Sequence, residues 1–474
     1  MLNKKKNIQF FIDIVKKKNE SILLIDASTE KKITYFEFFN KSIRFANYLK
    51  EKKIKFGEKI IIKLENSPEY LISVFACIIG GYAACPIDLN IPQNKYIKLK
   101  KILKCRYEID DLKKIKYSDN TTLSLQNKNP ISLVIFTSGT TGEPKGIQIK
   151  REEYLGSAIT FSKIAGYEPD SIIYHCLPMH YNAGLLNTFL SGFINGSKII
   201  LGTKVGMLNI INFWKELLVY KVNSFHIVPE IANALCKINV SNEEKEKIDK
   251  IEKIISTGSH LHEEIRERFE KKYRKRILSC YGLTEIGGPI SLQNWEDTFE
   301  ENSVGKIVNN VKIKIINKNN LNYVAVSTPY LFDSYLLNNG NKSKPKLVNK
   351  FFITGDIGDF KNETLFIFGR REDIFKKGSE IISPQDIENI ALKSKSVIDC
   401  CVIIKADIEK GSKIYLLIDF KNKEKTFSEM KKIQKFLIKN LKKIEYPDKI
   451  IPVSKIFKTS SGKVKKDYLK KIYL

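Results

Sequence analysis

Apolar and polar positions along this chain alternate between two rhythms. From Ile33 to Lys50 the apolar residues recur at helical spacing behind Thr34, which is placed to cap. From Phe56 to Asp88 the pattern predicts a turn, a strand, a capped helix and a second strand. The segment between Cys105 and Ile131 is polar and predicts a surface region, whereas Ile131–Ile135 is β-branched and reads as a buried strand. From Ser171 to Gly202 a strand leads to Leu177 and Pro178, a loop carries His180, and a helix follows from Gly184. Strand-then-helix order repeats over Val222–Leu235 and Lys253–Phe269. Such alternation predicts an α/β architecture with largely parallel sheets.

The last hundred or so residues change character. Two strand-like runs, Val397–Lys405 and Lys413–Phe420, precede a helix over Ser428–Leu441. A chain of 474 residues exceeds one typical core. The expected organisation is a large α/β domain, 1–369, of mixed and parallel sheets flanked by helices. A small, mobile α+β domain, 370–474, follows a hinge near 370–373.

Composition narrows the class. Hydrophobic residues make up 43% of the chain, too many for general disorder. No apolar run approaches the length of a membrane span. The basic N-terminus has a short apolar portion broken by Asp13 and lacks a small-residue cleavage site, so a cytoplasmic location is expected. The eight cysteines show no CxxC spacing and no histidine partner, which predicts reduced, structural thiols rather than zinc ligands. A formal charge of +28 raises nucleic-acid binding as a function class. The lysines, however, are spread over the whole chain, without a finger, an RNA-recognition sequence or a basic arm. That class ranks last and no nucleic-acid partner is expected. The positive field instead favours anionic ligands such as nucleotides, CoA or an acidic carrier protein.

The densest chemistry lies in FTSGTTGEPKG, Phe136–Gly146. Glycines let backbone N–H groups converge on an anion; Thr137, Ser138, Thr140 and Thr141 add donors and Lys145 adds a point charge. Gly139 and Gly142 do not match the common P-loop spacing. On composition, a polyphosphate loop and a solvated turn both remain open.

This string resembles the phosphate-loop signature of the adenylate-forming superfamily, which comprises acyl- and aryl-CoA synthetases, luciferases and the adenylation domains of peptide synthetases. Further segments resemble that superfamily in the expected order, almost end to end. YGLTE spans Tyr281, Gly282, Leu283, Thr284 and Glu285. The resemblance implies that Tyr281 stacks near adenine, Thr284 contacts the α-phosphate and Glu285 helps hold Mg²⁺, as a hard oxygen ligand suits. STGS, Ser256, Thr257, Gly258 and Ser259, is placed by the resemblance beside adenine or the acyl group. TGD ends in Asp356, whose carboxylate would accept from ribose hydroxyls, and Arg370 falls at a second ribose contact. GRREDIFKKGSEIISPQDIE, Gly369–Glu388, resembles the hinge region of acyl-CoA synthetases. It implies a pivot at Glu372, where relatives usually carry Asp or Lys, and places Gly378 near a thiol tunnel. In the C-terminal KTSSGKVKKDYL, Lys463 corresponds to the lysine that enters the site and contacts the carboxylate and α-phosphate. His180 matches a gate residue of the acyl pocket, with a structural histidine as the alternative. Gly287 and Gly288 are expected to leave room for a bulky acyl group.

The function implied is an ATP-dependent, AMP-forming acid–thiol ligase, most simply an acyl-CoA synthetase. Adenylation replaces an oxide leaving group by a phosphate ester, with pyrophosphate departing, and rests on positioning and charge neutralisation. Domain rotation then removes Lys463 and admits a thiol, yielding a thioester. ATP and Mg²⁺ are the implied cofactors, with CoA as acceptor. The alternative acceptor is the phosphopantetheine of a separate, acidic acyl carrier protein, loaded with an acyl, aryl or amino acid. The acid itself is not specified by these motifs.

Overall fold

The computed structural model describes residues 7–122, 128–138, 144–203, 209–296, 299–377, 380–407, 411–424, 426–459 and 462–474. Thr34 caps the helix Tyr35–Glu51: its side chain accepts from the Glu37 amide while the Glu37 carboxylate accepts from the Thr34 amide, a reciprocal capping box. Ser67 caps Pro68–Gly80, with Pro68 in the first turn. Gly81 ends that helix at φ 80°, and a Cβ there would lie 2.1 Å from the Phe56 ring, so glycine is required twice over. The N-terminal segment, expected only not to be a secretory signal, forms the helix Asn7–Lys18, with Ile8, Phe11 and Val15 buried.

The strands assemble into two large sheets. One runs Lys342–Ser343, Ser334–Leu336, Pro144–Lys150, Ile131–Ser138, Ala83–Pro86, Lys59–Ile62 and Tyr107–Ile109 in spatial order. In the other, Ile22–Asp26, Lys198–Leu201, Ile172–His175, Ser224–Ile227, Lys253–Ser256 and Leu278–Leu283 are parallel neighbours. It continues through Gly288–Leu292, Ser303–Ile307, Thr364–Arg370, Phe351–Lys361, Leu321–Ser327 and Lys312–Lys318, all antiparallel. The expected parallel order therefore holds for the strand–helix alternation and gives way to hairpins beyond Leu283. Hairpin strands need only short turns, whereas parallel strands need crossover helices, and no helix longer than one turn lies between Leu283 and Arg370 among the described residues.

One apolar cluster joins both sheets. It combines Ile60, Ile62 and Leu133 of the first with Leu24, Ile173 and Ile199 of the second through Phe38, Phe75, Phe161 and Phe189 of the helices. Phe75 meets Phe11 and Phe193 at ring-centroid distances of 4.8 and 4.9 Å. Each such buried ring contributes about 1.5–3 kcal/mol of transfer free energy.

The helix expected from Gly184 begins at Ala183 and is wound as a π-helix to Leu190 before an α-helical turn, Ser191–Asn195. The five-residue step is visible at its end, where the Ser191 amide donates to Leu186 O. Ser191 Oγ donates to Leu186 O five residues back, and a Cβ on Gly184 would meet Pro178 O at 2.6 Å.

The C-terminal domain is a separate α+β layer. Val397–Asp407 and Gly411–Phe420 are antiparallel, and Lys449–Pro452 lies parallel to the second. Helices Pro384–Leu392 and Thr426–Asn440 cover one face with Ile387, Ala391, Ile433 and Leu437. Leu469, on the last helix Lys466–Tyr473, joins Val453 and Ile456 over Cys401, Ile403 and Leu417 on the other. Along the connecting chain, Ile374 packs with Leu321 and Ile357 of the large domain, whereas Phe375 packs against the core of the small one.

All eight cysteines are free. Among the described residues no helix is long and apolar enough to cross a membrane.

Candidate active site

Cross-strand register builds the centre of the site. Asp356 and Arg370 are paired across Phe351–Lys361 and Thr364–Arg370, with Asp356 Oδ1 2.9 Å from Arg370 Nε. The second carboxylate oxygen, Oδ2, accepts from the Tyr281 hydroxyl, and the Asp356 amide donates to Thr354 Oγ1 at 3.1 Å. Burial pushes the Asp356 carboxyl above the ordinary value, opposed by Arg370, Tyr281 and Lys463. Tyr281 is raised well above its ordinary value by burial and then by Asp356, so its phenol stays a donor. The TGD and YGLTE segments, remote in sequence, thus meet on one carboxylate.

Lys463 arrives from the small domain. It lies on a hairpin in which Lys458 bridges Val464, the Thr459 amide donates to Lys463 O at 2.7 Å, and the Lys465 amide donates to Phe457 O at 2.8 Å. Burial and the Arg370 guanidinium depress the Lys463 ammonium, while Glu285, Asp356 and Glu372 act in the opposite sense. The residue as a whole stays exposed, so the depression belongs to a partly solvated ammonium. Two cations and three carboxylates from both domains therefore share one field.

Glu285 sits on the one-turn helix Thr284–Ile286, closed by the Gly287 amide donating to Thr284 O at 3.0 Å. Tyr335 donates to Glu285 Oε1 at 3.5 Å, and the Lys145 ammonium stands 5.8 Å from the centre of the Tyr335 ring. Lys145 and Thr137 are register partners on the hairpin Ile131–Ser138/Pro144–Lys150. Gly139, Thr140, Thr141 and Gly142 lie outside the described residues, as do the side chains of Thr137 and Ser138. Gly378 is outside them too.

STGS lies one strand from YGLTE, with Ser256 the register partner of Ser279. Thr257 donates its amide to Ile227 O, and Gly258 turns the chain at φ 93°. The hydroxyls of Ser256 and Ser259 are buried and find no hydrogen-bond partner among the described residues. Buried hydroxyls normally have one, so these two fit a polar ligand seated at this turn.

His180 packs on Tyr181, with centroids 4.6 Å apart, and lies 3.8 Å from Asp88; burial depresses it and Asp88 opposes. Two residues on, Asn182 Nδ2 donates to Gly287 O at 3.5 Å, tying this loop to the Glu285 turn. Neither glycine position admits a side chain. A Cβ on Gly287 would lie 2.6 Å from Tyr330 O, and one on Gly288 2.7 Å from Ser157 Oγ. At Gly287 the φ of 79° explains glycine without any acyl group.

Glu372 is exposed in the turn after Arg370, and its carboxyl is raised by burial and by Asp373 beside it. Tyr335 and Thr354 escaped sequence reasoning as site members. Thr354 was visible inside TGD; Tyr335 carries no comparable signal.

Among the described residues no group of three or more His, Cys, Asp or Glu side chains is arranged to hold a metal. A Mg²⁺ bound chiefly by phosphate and water needs only one or two carboxylates, and Glu285 meets that demand.

Known proteins carry the same plan. The AMP-binding enzyme family model matches residues 11–104 and 99–329, and the model of the AMP-binding enzyme C-terminal domain matches 386–463. The chain belongs to this family; it is an AMP-forming, acid–thiol ligase-like enzyme of the adenylate-forming superfamily. It is 27% identical to the oxalate–CoA ligase of Arabidopsis thaliana over 358 residues, 73% of this chain and 68% of that one. With the 2-succinylbenzoate–CoA ligase of Staphylococcus epidermidis it shares 24% identity over 464 residues, 92% of each. The crystal structure of ATP-bound MatB from Rhodopseudomonas palustris has the same fold, with a TM-score of 0.87 at 19% identity over 98% of this chain and 99% of that one.

Proposed function

We propose that this enzyme activates a carboxylic acid with ATP, releases pyrophosphate, and transfers the acyl group from AMP to CoA. The observation that carries this reading is the convergence of Lys463, from the small domain, on Asp356, Arg370 and Glu285 of the large one. In it, Asp356 and Arg370 hold the ribose, Thr137–Lys145 the outer phosphates, and Ser256–Ser259 with Tyr281 the adenine. Thr284 and Lys463 face the α-phosphate as the acid's carboxylate attacks. Positioned donors and cations there act where negative charge develops.

Mg²⁺ on Glu285 would neutralise phosphate charge when bound. The acid would enter past His180 beside Ser259 and Gly287. Residues 370–474 would then turn about Glu372 as a unit against 1–369, withdrawing Lys463 and opening a path past Gly378 for the thiol. Both relatives named above are CoA ligases, which supports CoA as acceptor.

ATP–pyrophosphate exchange over a panel of mono- and dicarboxylic, aromatic and fatty acids, followed by thioester assay with CoA or a phosphopantetheinylated carrier, tests the reading. Exchange with at least one acid and thioester on CoA is expected. No exchange with any acid would reject adenylation, and thioester on the carrier alone would reject CoA.

A further inference from the structure

The strand Ser224–Ile227 runs beside Lys253–Ser256, and past its C-terminal end the short helix Pro229–Leu235 begins. Glu230, in the first turn of that helix, reaches across to the small domain. Its Oε1 lies 3.1 Å from the Lys458 ammonium, and Lys458 is also 2.8 Å from Asp399 Oδ2. All three side chains keep less than a third of their surface, so the bridge is substantially desolvated.

The other carboxylate oxygen bears on Gly462. A Cβ on Gly462 would lie 2.0 Å from Glu230 Oε2, and Oε2 is buried without a hydrogen-bond partner among the described residues. Gly462 has φ 82°, and its amide donates to Thr459 O. A large-domain carboxylate therefore sits against the turn that carries Lys463, clamped between the residue before it and a cation at the hairpin's base. Lys237, just beyond the same helix, faces Asp399 and Asp419 of the small domain, which makes the contact complementary in charge.

We propose that Glu230 is a positioning residue for adenylation: it latches the Lys458–Val464 hairpin so that Lys463 meets the Asp356–Glu285 field. The latch belongs to this domain orientation alone, because Lys458 and Gly462 leave Glu230 when the small domain turns. This rests on the two-step reading above. It predicts that loss of Glu230 damages the first half-reaction and spares the second.

The decisive comparison is wild type against Glu230→Gln. Hydrogen–deuterium exchange is followed with α,β-methylene-ATP and Mg²⁺, a probe that requires no acid. Faster exchange, by about threefold or more, is expected in residues 457–465 of E230Q, with Thr426–Asn440 unchanged; equal exchange in 457–465 overturns the latch. Pyrophosphate exchange is then measured with whichever of oxalate, malonate, 2-succinylbenzoate or 4-coumarate turns over fastest in wild type. It should fall about tenfold or more, while thioester formation from the synthetic adenylate of that acid and CoA stays within twofold. Equal losses in both halves would show a merely structural role and overturn the proposal. If wild type exchanges neither these acids nor any other of the panel above but the hydrogen-exchange difference persists, the functional reading fails and the latch stands. Should E230Q not fold, the contact is tested from its other side with E230A, G462A and the double variant, using the same hydrogen-exchange readout. Gly462→Ala should loosen the hairpin more in wild type than in the E230A background, and strictly additive effects overturn the contact.

Discussion

Asp356 and Arg370 face one another across two antiparallel strands with 2.9 Å between Oδ1 and Nε, and the aspartate keeps only 4% of its side-chain surface. A carboxylate held so deep depends on its partners. Arg370→Met would leave Asp356 with Tyr281, the Lys463 ammonium and local dipoles, at a cost of about 1–3 kcal/mol near pH 7. The sign of its pH dependence follows from burial. Asp356 already titrates above the ordinary 3.8, and Arg370 is the first group opposing that rise. A raised carboxyl binds more protons folded than unfolded, so stability falls as pH climbs from about 4 through the folded-state value. The R370M deficit should therefore shrink as pH is lowered toward 4, measured by urea denaturation at fixed ionic strength. A deficit that grows on acidification would contradict the arrangement.

Lys463 offers a kinetic counterpart. Lys463→Ala should slow ATP–pyrophosphate exchange by about 100- to 1,000-fold, the scale for removing one group that meets developing charge. Thioester formation from preformed adenylate should remain largely intact. Because burial and Arg370 depress the ammonium, its charge is lost at a lower pH than an ordinary lysine's 10.5, and adenylation should decline as pH rises through that lowered value. Lys463→Arg should push the alkaline limb upward while lowering the plateau, since a guanidinium remains charged. An alkaline limb identical in the two proteins would assign it to another group.

The sequence was most legible where local chemistry alone decides structure. Thr34 marks one helix start and a capped helix was expected within Phe56–Asp88; both caps form, Thr34 with Glu37 as its reciprocal partner and Ser67 ahead of Pro68. Legibility fell where distant segments decide. Tyr281 and Asp356 stood in recognisable motifs, yet their shared hydrogen bond depends on strand order across the sheet. Mixed sheets were expected, yet the antiparallel strands were not placed individually, because edge hairpins and buried parallel strands share apolar runs of similar length. Gly287 and Gly288 suggested an acyl cavity, and the structure gives each a nearer reason to be glycine, since a Cβ there would meet Tyr330 O or Ser157 Oγ. Glu230 carried no motif at all: its relation to Gly462 exists only once both domains are folded and docked.

Thr34→Ala tests the fold without touching the site. Removing the cap leaves the Glu37 amide unpaired in the first turn of a helix that carries Phe38 into the main core. A loss of about 1 kcal/mol is expected in chemical denaturation, with an unchanged KM for ATP. A change in KM without loss of stability would mean that this helix reaches the nucleotide by a route the contacts do not show.

Gly287 joins backbone geometry to the metal–phosphate role proposed for Glu285. Its φ of 79° and its amide, bonded to Thr284 O, close the single turn on which Glu285 is held. Alanine there adds a left-handed strain of about 1–3 kcal/mol and drives a methyl group against Tyr330 O, backbone that cannot swing aside as a side-chain tip can. Gly287→Ala should therefore lower the denaturation midpoint and also raise the KM for MgATP, because the turn displaces Glu285 as it relaxes. Titrating Mg²⁺ at fixed ATP separates the two effects. Displacement of Glu285 predicts a higher Mg²⁺ requirement in the variant, while strain confined to the Tyr330 side predicts a loss of stability with the Mg²⁺ requirement of wild type. The first result is expected, since the 3.0 Å bond from the Gly287 amide to Thr284 O closes the turn, and the other backbone bond on Glu285, from the Phe332 amide at 2.9 Å, comes from two residues beyond the Tyr330 that the methyl group would push.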